Sequence, residues 1–351
     1  MTTTTTLALQ PATWPRDQPL EGRLLLVEPR RRRFEDRGLQ DLPSLLQAGD
    51  LLVMNDAATL PASLAARTAQ GEPVEVRLAG FGEGDAEWRA VLFGAGDWRT
   101  RTEDRPSPPP LAVGAPLRFA GGLGATLLAL SPSSPRLVDL RFDRAGDALW
   151  EALYRAGAPI QYSYLRGPLP LWHVQTAYGA RPWAMELPSA GRPLTWELLA
   201  ELRRRGVRLA ALTHAAGLSS TGDPAVDALL PFPERFDVPQ ATVDAVEAAR
   251  RAGGRVVAVG TTVVRALEGA AALHGGRLRP GSGVTALRIA QGLRRHVVDG
   301  LFTGLHEPGT SHFDLLTAFA PESLLRAGYE HAVSRGYLGH EFGDSSLILD
   351  V

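Results

Sequence analysis

Four short stretches of this sequence carry hydroxyls, imidazoles, carboxylates and a cation at spacings that can bind a charged ligand and move a proton. The first is Gly260-Thr261-Thr262 followed by Arg265 and Glu268, within RVVAVGTTVVRALE (255–268). An apolar run ends in glycine, which permits a tight turn, and a helical pattern then begins with Thr262 as its expected N-cap. Unpaired N–H groups and the helix dipole make such a tip an anion site. Arg265, in the expected first turn, opposes that dipole by roughly 0.3–1 kcal/mol. Two readings stay open. A carboxylate or phosphate sits between the tip and Arg265, or the turn is ordinary and Arg265 pairs on the surface with Glu268, three residues along the same face.

The second stretch, TGLHEPGTSHFD (303–314), packs Thr303, His306, Glu307, His312 and Asp314 around a turn shaped by proline and glycine. His306 is the leading general acid or base, because imidazole titrates nearest neutrality, with a capping or structural role as the alternative. Its pairing with His312 lacks an acidic residue at zincin spacing, so no metal is expected. The third stretch is ELPSAGRPLTWELL (186–199). There Ala190-Gly191 would let backbone amides approach a ligand, with Ser189 and Arg192 as contacts, and Thr195 is a candidate N-cap. The fourth group is Asn55-Asp56 after an apolar run, with Glu341 and Asp344 just before the last one. Glu341 and Asp344 read as carboxylates for a cationic ligand or as turn residues. Asp344 joins His306 and Glu307 as a catalytic candidate, while His214 reads as a hydrogen-bonded core histidine.

These groups need elements to hold them. Helical patterns alternate with apolar strands: DLPSLLQAG before DLLVMND, TWELLAELRRRG before VRLAALTHAAG, and PQATVDAVEAARRAGG before RVVAVGTT. Such alternation predicts an α/β domain, a parallel or mixed sheet covered by helices. Ligands bind where such strands end. Asn55-Asp56, Thr213-His214, Thr261-Thr262 and the run from Thr303 to Glu307 all fall at predicted strand ends. Between them, PVEVRLAGF, EWRAVLFGAG, PLRFAGG, ATLLALS and RLVDLRF are short β-type runs divided by turn residues, which predicts a small antiparallel β-barrel. The expected layout is a discontinuous α/β catalytic domain (1–66 and 147–351) carrying an inserted barrel (67–146). Within the barrel, RTEDRPSPPP (100–109) reads as a polar surface loop.

Bulk properties narrow the chemistry. The 351 residues include no cysteine and no lysine, so all 37 basic residues are arginine. Thiolate chemistry, Schiff-base lysines and a Walker-type phosphate lysine are excluded. The missing cysteines fit a cytoplasmic protein. A net charge of −1 gives no global attraction to nucleic acid. Arginine clusters at 30–33, 203–205 and 294–295 read as solvated edges or as phosphate contacts. No apolar run reaches membrane-spanning length, and the first residues, MTTTTTLALQPATWP, read as a frayed terminus and not as a signal peptide. No G-x-G-x-x-G follows a strand, and no P-loop or G-x-S-x-G occurs.

Taken together, GRLLLV (22–27), DLPSLLQAGDLLVMND (41–56), PSAG (188–191), RVVAVGTTVVRALE, VDGLFTGLHEPGTS (298–311) and FGDSSLIL (342–349) resemble the S-adenosylmethionine:tRNA ribosyltransferase-isomerase family of queuosine biosynthesis over nearly the whole chain. The resemblance implies an α/β domain with an inserted β-barrel. It also implies S-adenosylmethionine as the ribosyl donor, with no cofactor beyond this co-substrate and no metal. The expected partners are S-adenosylmethionine and tRNA, with no membrane, and a monomer is the expected state. In the implied reaction a base removes a C5′ proton next to the sulfonium, and adenine leaves. The aminomethyl group of a 7-deazaguanine base in tRNA attacks the sugar, and methionine departs as an epoxycyclopentane ring closes. Donor or acceptor contacts are then expected from Asn55, Asp56, Ser189, Gly191, Arg192, Thr261, Thr262, Arg265, Glu268 and Thr303.

The sequence departs from the family pattern at several turns. Asn-Asp-Thr-Arg is here Asn55-Asp56-Ala57-Ala58, and the Leu-His-Phe after Pro-Thr-Ala-Gly is Arg192-Pro193-Leu194. A Met-His pair is replaced by Pro231-Phe232 while Glu234 remains, an Asn after Thr303 is Gly304, and Ser-Tyr-Gly-Asp is Glu341-Phe342-Gly343-Asp344. These changes leave two alternatives: a paralogue using S-adenosylmethionine with a small-molecule acceptor, or a non-catalytic S-adenosylmethionine-binding protein.

Overall fold

The computed structural model describes residues 8–351; the stretch 1–7 lies outside the described residues, and the rest of the segment read above as a frayed terminus is held, since Gln10 and Pro11 pair with Leu338 and Gly339 and Leu9 and Ala12 are buried. The strands are β1 (Arg23–Glu28), β2 (Arg33–Gly38), β3 (Leu51–Asn55), β4 (Ser63–Arg67), β5 (Pro73–Phe81), β6 (Glu87–Phe93), β7 (Pro116–Phe119), β8 (Gly124–Ser131), β9 (Ser134–Phe142), β10 (Arg208–His214), β11 (Glu234–Val238), β12 (Val256–Val259), β13 (Gly281–Thr285), β14 (Gly300–Gly304) and β15 (Ser345–Ile348). The main helices are α1 (Gly146–Ala156), α2 (Trp196–Arg204), α3 (Gln240–Arg251), α4 (Thr261–Ala272), α5 (Ser311–Leu316) and α6 (Glu322–Ser334).

A nine-stranded sheet runs β13-β11-β10-β3-β12-β14-β15-β1-β2. Its centre is parallel: β3 pairs with β10 and with β12, and β12 pairs with β14. The flanks add antiparallel pairings, as β15 with β14 and β11 with β10. The sheet is therefore mixed around a parallel core. Its central strands are apolar on both faces because both are covered. Leu51 and Val53 of β3 with Val256 and Ala258 of β12 enter one core, shared with α3, α4 and α6. Leu52, Met54, Val257 and Val259 enter a second core on the opposite face, with Leu198, Leu199 and Leu202 of α2. Truncating any one of these leucines to alanine would cost about 2–5 kcal/mol.

The second body is a closed antiparallel barrel, β4-β5-β6-β9-β8-β7, with β7 returning to β4 through Ala66–Phe119 and Arg67–Arg118. Its first strand starts at Ser63, ahead of residue 67, and Gly157–Ala158 adds a short pairing to β4. Trp88, Phe93 and Leu140 fill its interior, which α1 seals with Leu149 and Leu153. The loop 100–109 is not purely a surface segment. Arg105 is 2% exposed and reaches back to Glu75 and to the carbonyls of Gly94 and Gly96, because a buried guanidinium must find acceptors. No described helix is long and apolar enough to cross a membrane.

Candidate functional site

The parallel strands β10, β3, β12 and β14 are neighbours, so their carboxyl ends form one edge. Along it lie Asn55-Asp56, Thr213-His214, Gly260 with the tip of α4, and Thr303-Gly304. Asn55 is part of the scaffold. Its Oδ1 accepts the N–H groups of His214 (2.9 Å) and Ala57 (3.1 Å), and its Nδ2 donates to the His214 carbonyl (3.0 Å). It thereby ties β3 to β10. Asp56 accepts the Thr213 hydroxyl at 2.6 Å. Burial raises its pKa, against the opposing pull of Thr213 and Arg181.

The α4 tip differs from the sequence expectation. The helix begins at Thr261, and its N-cap is Gly260, at φ +87°, with no capping side chain. Thr262 is therefore not the cap. The left-handed φ favours glycine, and a Cβ there would also come within 3.3 Å of Ala190. With no side-chain cap, the N–H groups of Thr261, Thr262 and Val263 meet no acceptor among the described residues. Arg265 then falls just past the first turn.

Arg265 and Glu268 do not pair, and neither is on the surface: they are 8% and 1% exposed because α4 is enclosed almost all round. Glu268 accepts the backbone N–H groups of His296, Val297 and Val298 at 2.7–2.9 Å, so its carboxylate is engaged in fixing that loop. The anion beside Arg265 is Glu234 of β11, with Nη2 to Oε2 at 2.7 Å. His214 Nε2 lies 3.1 Å from the same oxygen, while Oε1 accepts the Gly217 N–H at 3.1 Å. Burial alone would raise the Glu234 pKa; His214, Arg265 and the Gly217 amide together hold it below the usual carboxylate range. The contacts are close but poorly aimed. Nε and Nη2 of Arg265, Oε2 of Glu234 and both ring nitrogens of His214 are buried without an aligned hydrogen bond.

His306 Nε2 is 2.9 Å from the Thr303 hydroxyl, and its ring stacks on His312 at 5.1 Å between centroids. Burial first, then His312, pushes the His306 pKa down to about 3. At neutral pH it is an uncharged hydrogen-bonding imidazole and a weak base, which corrects the expectation that it leads proton transfer. Burial and the Arg265 charge lower His312 likewise, against Glu234, which places His312 in the same electrostatic neighbourhood. Glu307 is exposed and stands apart from this group.

On the other side of the β14 end lies a cleft lined by Arg16, Ser189, Arg192, Gly304, Glu341 and Asp344 among others. Ser189 and Arg192 belong to the turn that rests on Gly260. Arg192 donates through Nε to the His173 carbonyl at 3.1 Å, and burial lowers its pKa. Gly191 serves packing and not ligand approach, since a Cβ there would collide with the Tyr178 hydroxyl. Asp344 is also corrected. It accepts from Arg16 Nη2 (2.6 Å) and from the backbone amides of Arg23 and Leu338 (2.8 Å each), bonds that brace the cleft wall.

Sequence reasoning did not single out three residues beside this cleft. Tyr164 hydrogen-bonds Glu341, Tyr162 hydrogen-bonds Glu186, and the two phenol rings stack at 5.9 Å. The only sequence cue to Tyr162 and Tyr164 is their alternation. Burial raises both carboxyls, Glu341 to about 7.

Comparison with known proteins agrees with this architecture. The family model described as "Queuosine biosynthesis protein" matches residues 5–348. A Rhodospirillum rubrum protein named S-adenosylmethionine:tRNA ribosyltransferase-isomerase is 38% identical over 353 residues, covering 97% of this chain and 94% of the relative. Proteins of the same name from Acidithiobacillus ferrooxidans and Gloeobacter violaceus are 35% and 37% identical, covering 93% and 98% of this chain and 91% and 92% of their own lengths. The crystal structure of the S-adenosylmethionine tRNA ribosyltransferase from Thermotoga maritima aligns with a TM-score of 0.52 at 26% identity, over 97% of this chain and 96% of that one.

Proposed function

The chain belongs to the queuosine biosynthesis protein family, and from that premise we propose that it moves the ribosyl part of S-adenosylmethionine onto a 7-aminomethyl-7-deazaguanine base in tRNA. The enzyme is a transferase and isomerase, giving epoxyqueuosine with release of adenine and methionine. The single observation that carries this reading is the similarity of over 90% of the chain, both the α/β body and the barrel, to enzymes of that name. A tRNA acceptor supports a cytoplasmic location for the reaction.

The carboxyl edge of the sheet suits the methionine end of the donor, which is a zwitterion. The unfilled amides of Thr261, Thr262 and Val263 and the guanidinium of Arg265 offer donors to its carboxylate. Glu234, held ionised, offers an acceptor to its ammonium. An ion pair whose hydrogen bonds are unmet inside the protein is complementary to such a ligand, because binding satisfies groups that are costly to leave buried. Thr303 and His306 add a neutral hydrogen-bonding pair beside it. Ser189 and Arg192 line the adjoining cleft, where the acceptor base would enter.

The test is incubation with S-adenosylmethionine and tRNA bearing the aminomethyl-deazaguanine base, followed by nucleoside mass spectrometry. Adenine release together with the mass of the added epoxycyclopentane ring is expected. Adenine release no higher than without tRNA overturns the acceptor assignment, and release driven by a small amine but not by tRNA transfers the activity to that acceptor class.

A further inference from the structure

Glu341 is the titratable group of the cleft that the donor-binding edge does not use. It lines the cavity with Ser189 and Arg192. The Tyr164 hydroxyl donates to its carboxylate, and Glu186, itself hydrogen-bonded by Tyr162 and by the Ser219 hydroxyl (2.7 Å) and amide (3.1 Å), raises it further by like charge. His340, next to it in sequence, packs on the Tyr164 ring at 4.3 Å. Arg16 is committed to Asp344, and Arg192 to the His173 carbonyl, so no aligned hydrogen bond from a guanidinium neutralises Glu341. Among the groups lining the cleft, Glu341 is the carboxyl that burial raises to about 7.

We propose that Glu341 is the base that accepts the proton of the acceptor's primary ammonium group when that amine attacks the sugar. The inference rests on the ribosyl-transfer reading given above. An aminomethyl group arrives protonated and has no lone pair. A desolvated carboxylate first binds the ammonium as its counter-ion. One N–H bond then breaks as an O–H bond forms on Glu341, and the freed lone pair makes the new N–C bond. The neutral acid returns its proton to water between turnovers. A carboxyl near pKa 7 holds its proton long enough for this exchange and releases it readily.

The experiment measures single-turnover product formation against pH, with tRNA bearing the aminomethyl base and, in a parallel arm, a small primary alkylamine. The native enzyme should gain rate as pH rises through about 7. Glu341→Gln should lower the plateau about a hundredfold and abolish that limb, with S-adenosylmethionine affinity by calorimetry unchanged. Tyr164→Phe removes a donor to the carboxylate, so the midpoint should move to higher pH. Glu341→Asp should keep a titrating limb. A Glu341→Gln enzyme with native rate and native pH profile overturns the proposal. Native enzyme that forms no product in either arm overturns the ribosyl-transfer reading instead. In that case infrared difference spectra still report whether a protonated carboxyl titrates near neutrality and vanishes in Glu341→Gln. If no such carboxyl is seen, the proposal fails on its own account.

Discussion

The two ends of the same central strands handle buried polar groups in opposite ways. At the amino ends of β3 and β12, Asp50 is 1% exposed and filled: it accepts the amides of Gln47 and Arg255 at 2.8 Å and Nη2 of Arg255 at 2.6 Å. At the carboxyl ends, Arg265, Glu234 and His214 are also buried, yet Nε and Nη2 of Arg265, Oε2 of Glu234 and both ring nitrogens of His214 lack an aligned partner, and three amides of α4 stay unfilled. Buried polar groups are costly unless hydrogen-bonded, so a folded chain fills them wherever stability alone is at stake. The end that leaves them unfilled is the end where a ligand completes the set. A carboxylate's burial says little by itself; what fills its lone pairs separates a brace from a binding group.

Two substitutions test that contrast, beginning with the largest effect. Arg255→Met leaves Asp50 buried without its cationic partner and should cost about 3 kcal/mol in urea unfolding, with the rate per folded molecule intact. Arg265→Met should cost about a hundredfold in ribosyl transfer, equivalent to roughly 2.7 kcal/mol, while changing unfolding by no more than about 1 kcal/mol. If Arg265→Met instead destabilises as much as Arg255→Met and leaves transfer intact, the two ends do not differ in the way their bonding indicates.

Much of this frame is legible in the sequence, and the reason is periodicity. Doubly apolar strands such as LLVM and VVAV announce a covered parallel sheet, and α2, α3 and α4 follow from amphipathic runs between turn residues. Partners far apart in the chain are not legible. Arg265 and Glu268 are three apart and invite a helix pair, but tertiary enclosure of α4 sends Glu268 to the 296–298 loop and brings Glu234 to Arg265. The same limit hides Tyr164–Glu341, whose members are 177 residues apart. Cap placement failed for a local reason: threonine side chains signal a cap, whereas Gly260 starts the helix by conformation alone. Asp344 shows the converse, a carboxylate in a promising place whose lone pairs go to the backbone.

Acid should separate the two ends by pH. His306 has an ordinary pKa of 6.5 that falls to about 3 in the fold. The unfolded chain therefore takes the proton first, and stability is full above pH 6.5 and lost as pH drops from there toward 3. The slope is at most roughly 1.4 kcal/mol per pH unit, less where solvent reaches the ring. Burial raises Asp50, but Arg255 and the Gln47 and Arg255 amides outweigh it and leave its pKa depressed, so its contribution persists above the ordinary carboxylate range and is lost only as pH falls through that lower value. Unfolding free energy measured from pH 7 to 4 should thus decline through the carboxyl edge while the amino edge holds. His306→Gln should flatten that decline. An unchanged slope would mean the ring is already charged in the fold or is solvated in both states.

Thr195 gives the smallest expected effect and the finest test, because it belongs to both classes. By its bonding it is a brace: its hydroxyl accepts the Leu198 amide at 3.3 Å and caps α2. By its position it ends the turn in which Ser189 and Arg192 line the cleft and Ala190 rests on Gly260. Thr195→Ala should cost about 1 kcal/mol in unfolding, the usual loss of an N-cap. If the cap also fixes the entry angle of that turn, the acceptor KM should rise severalfold while S-adenosylmethionine affinity stays constant, since the donor groups sit on α4 and β11. If both constants move together, the turn and the α4 tip act as one unit, and the line between brace and binding group runs through the sheet's carboxyl edge and not around it.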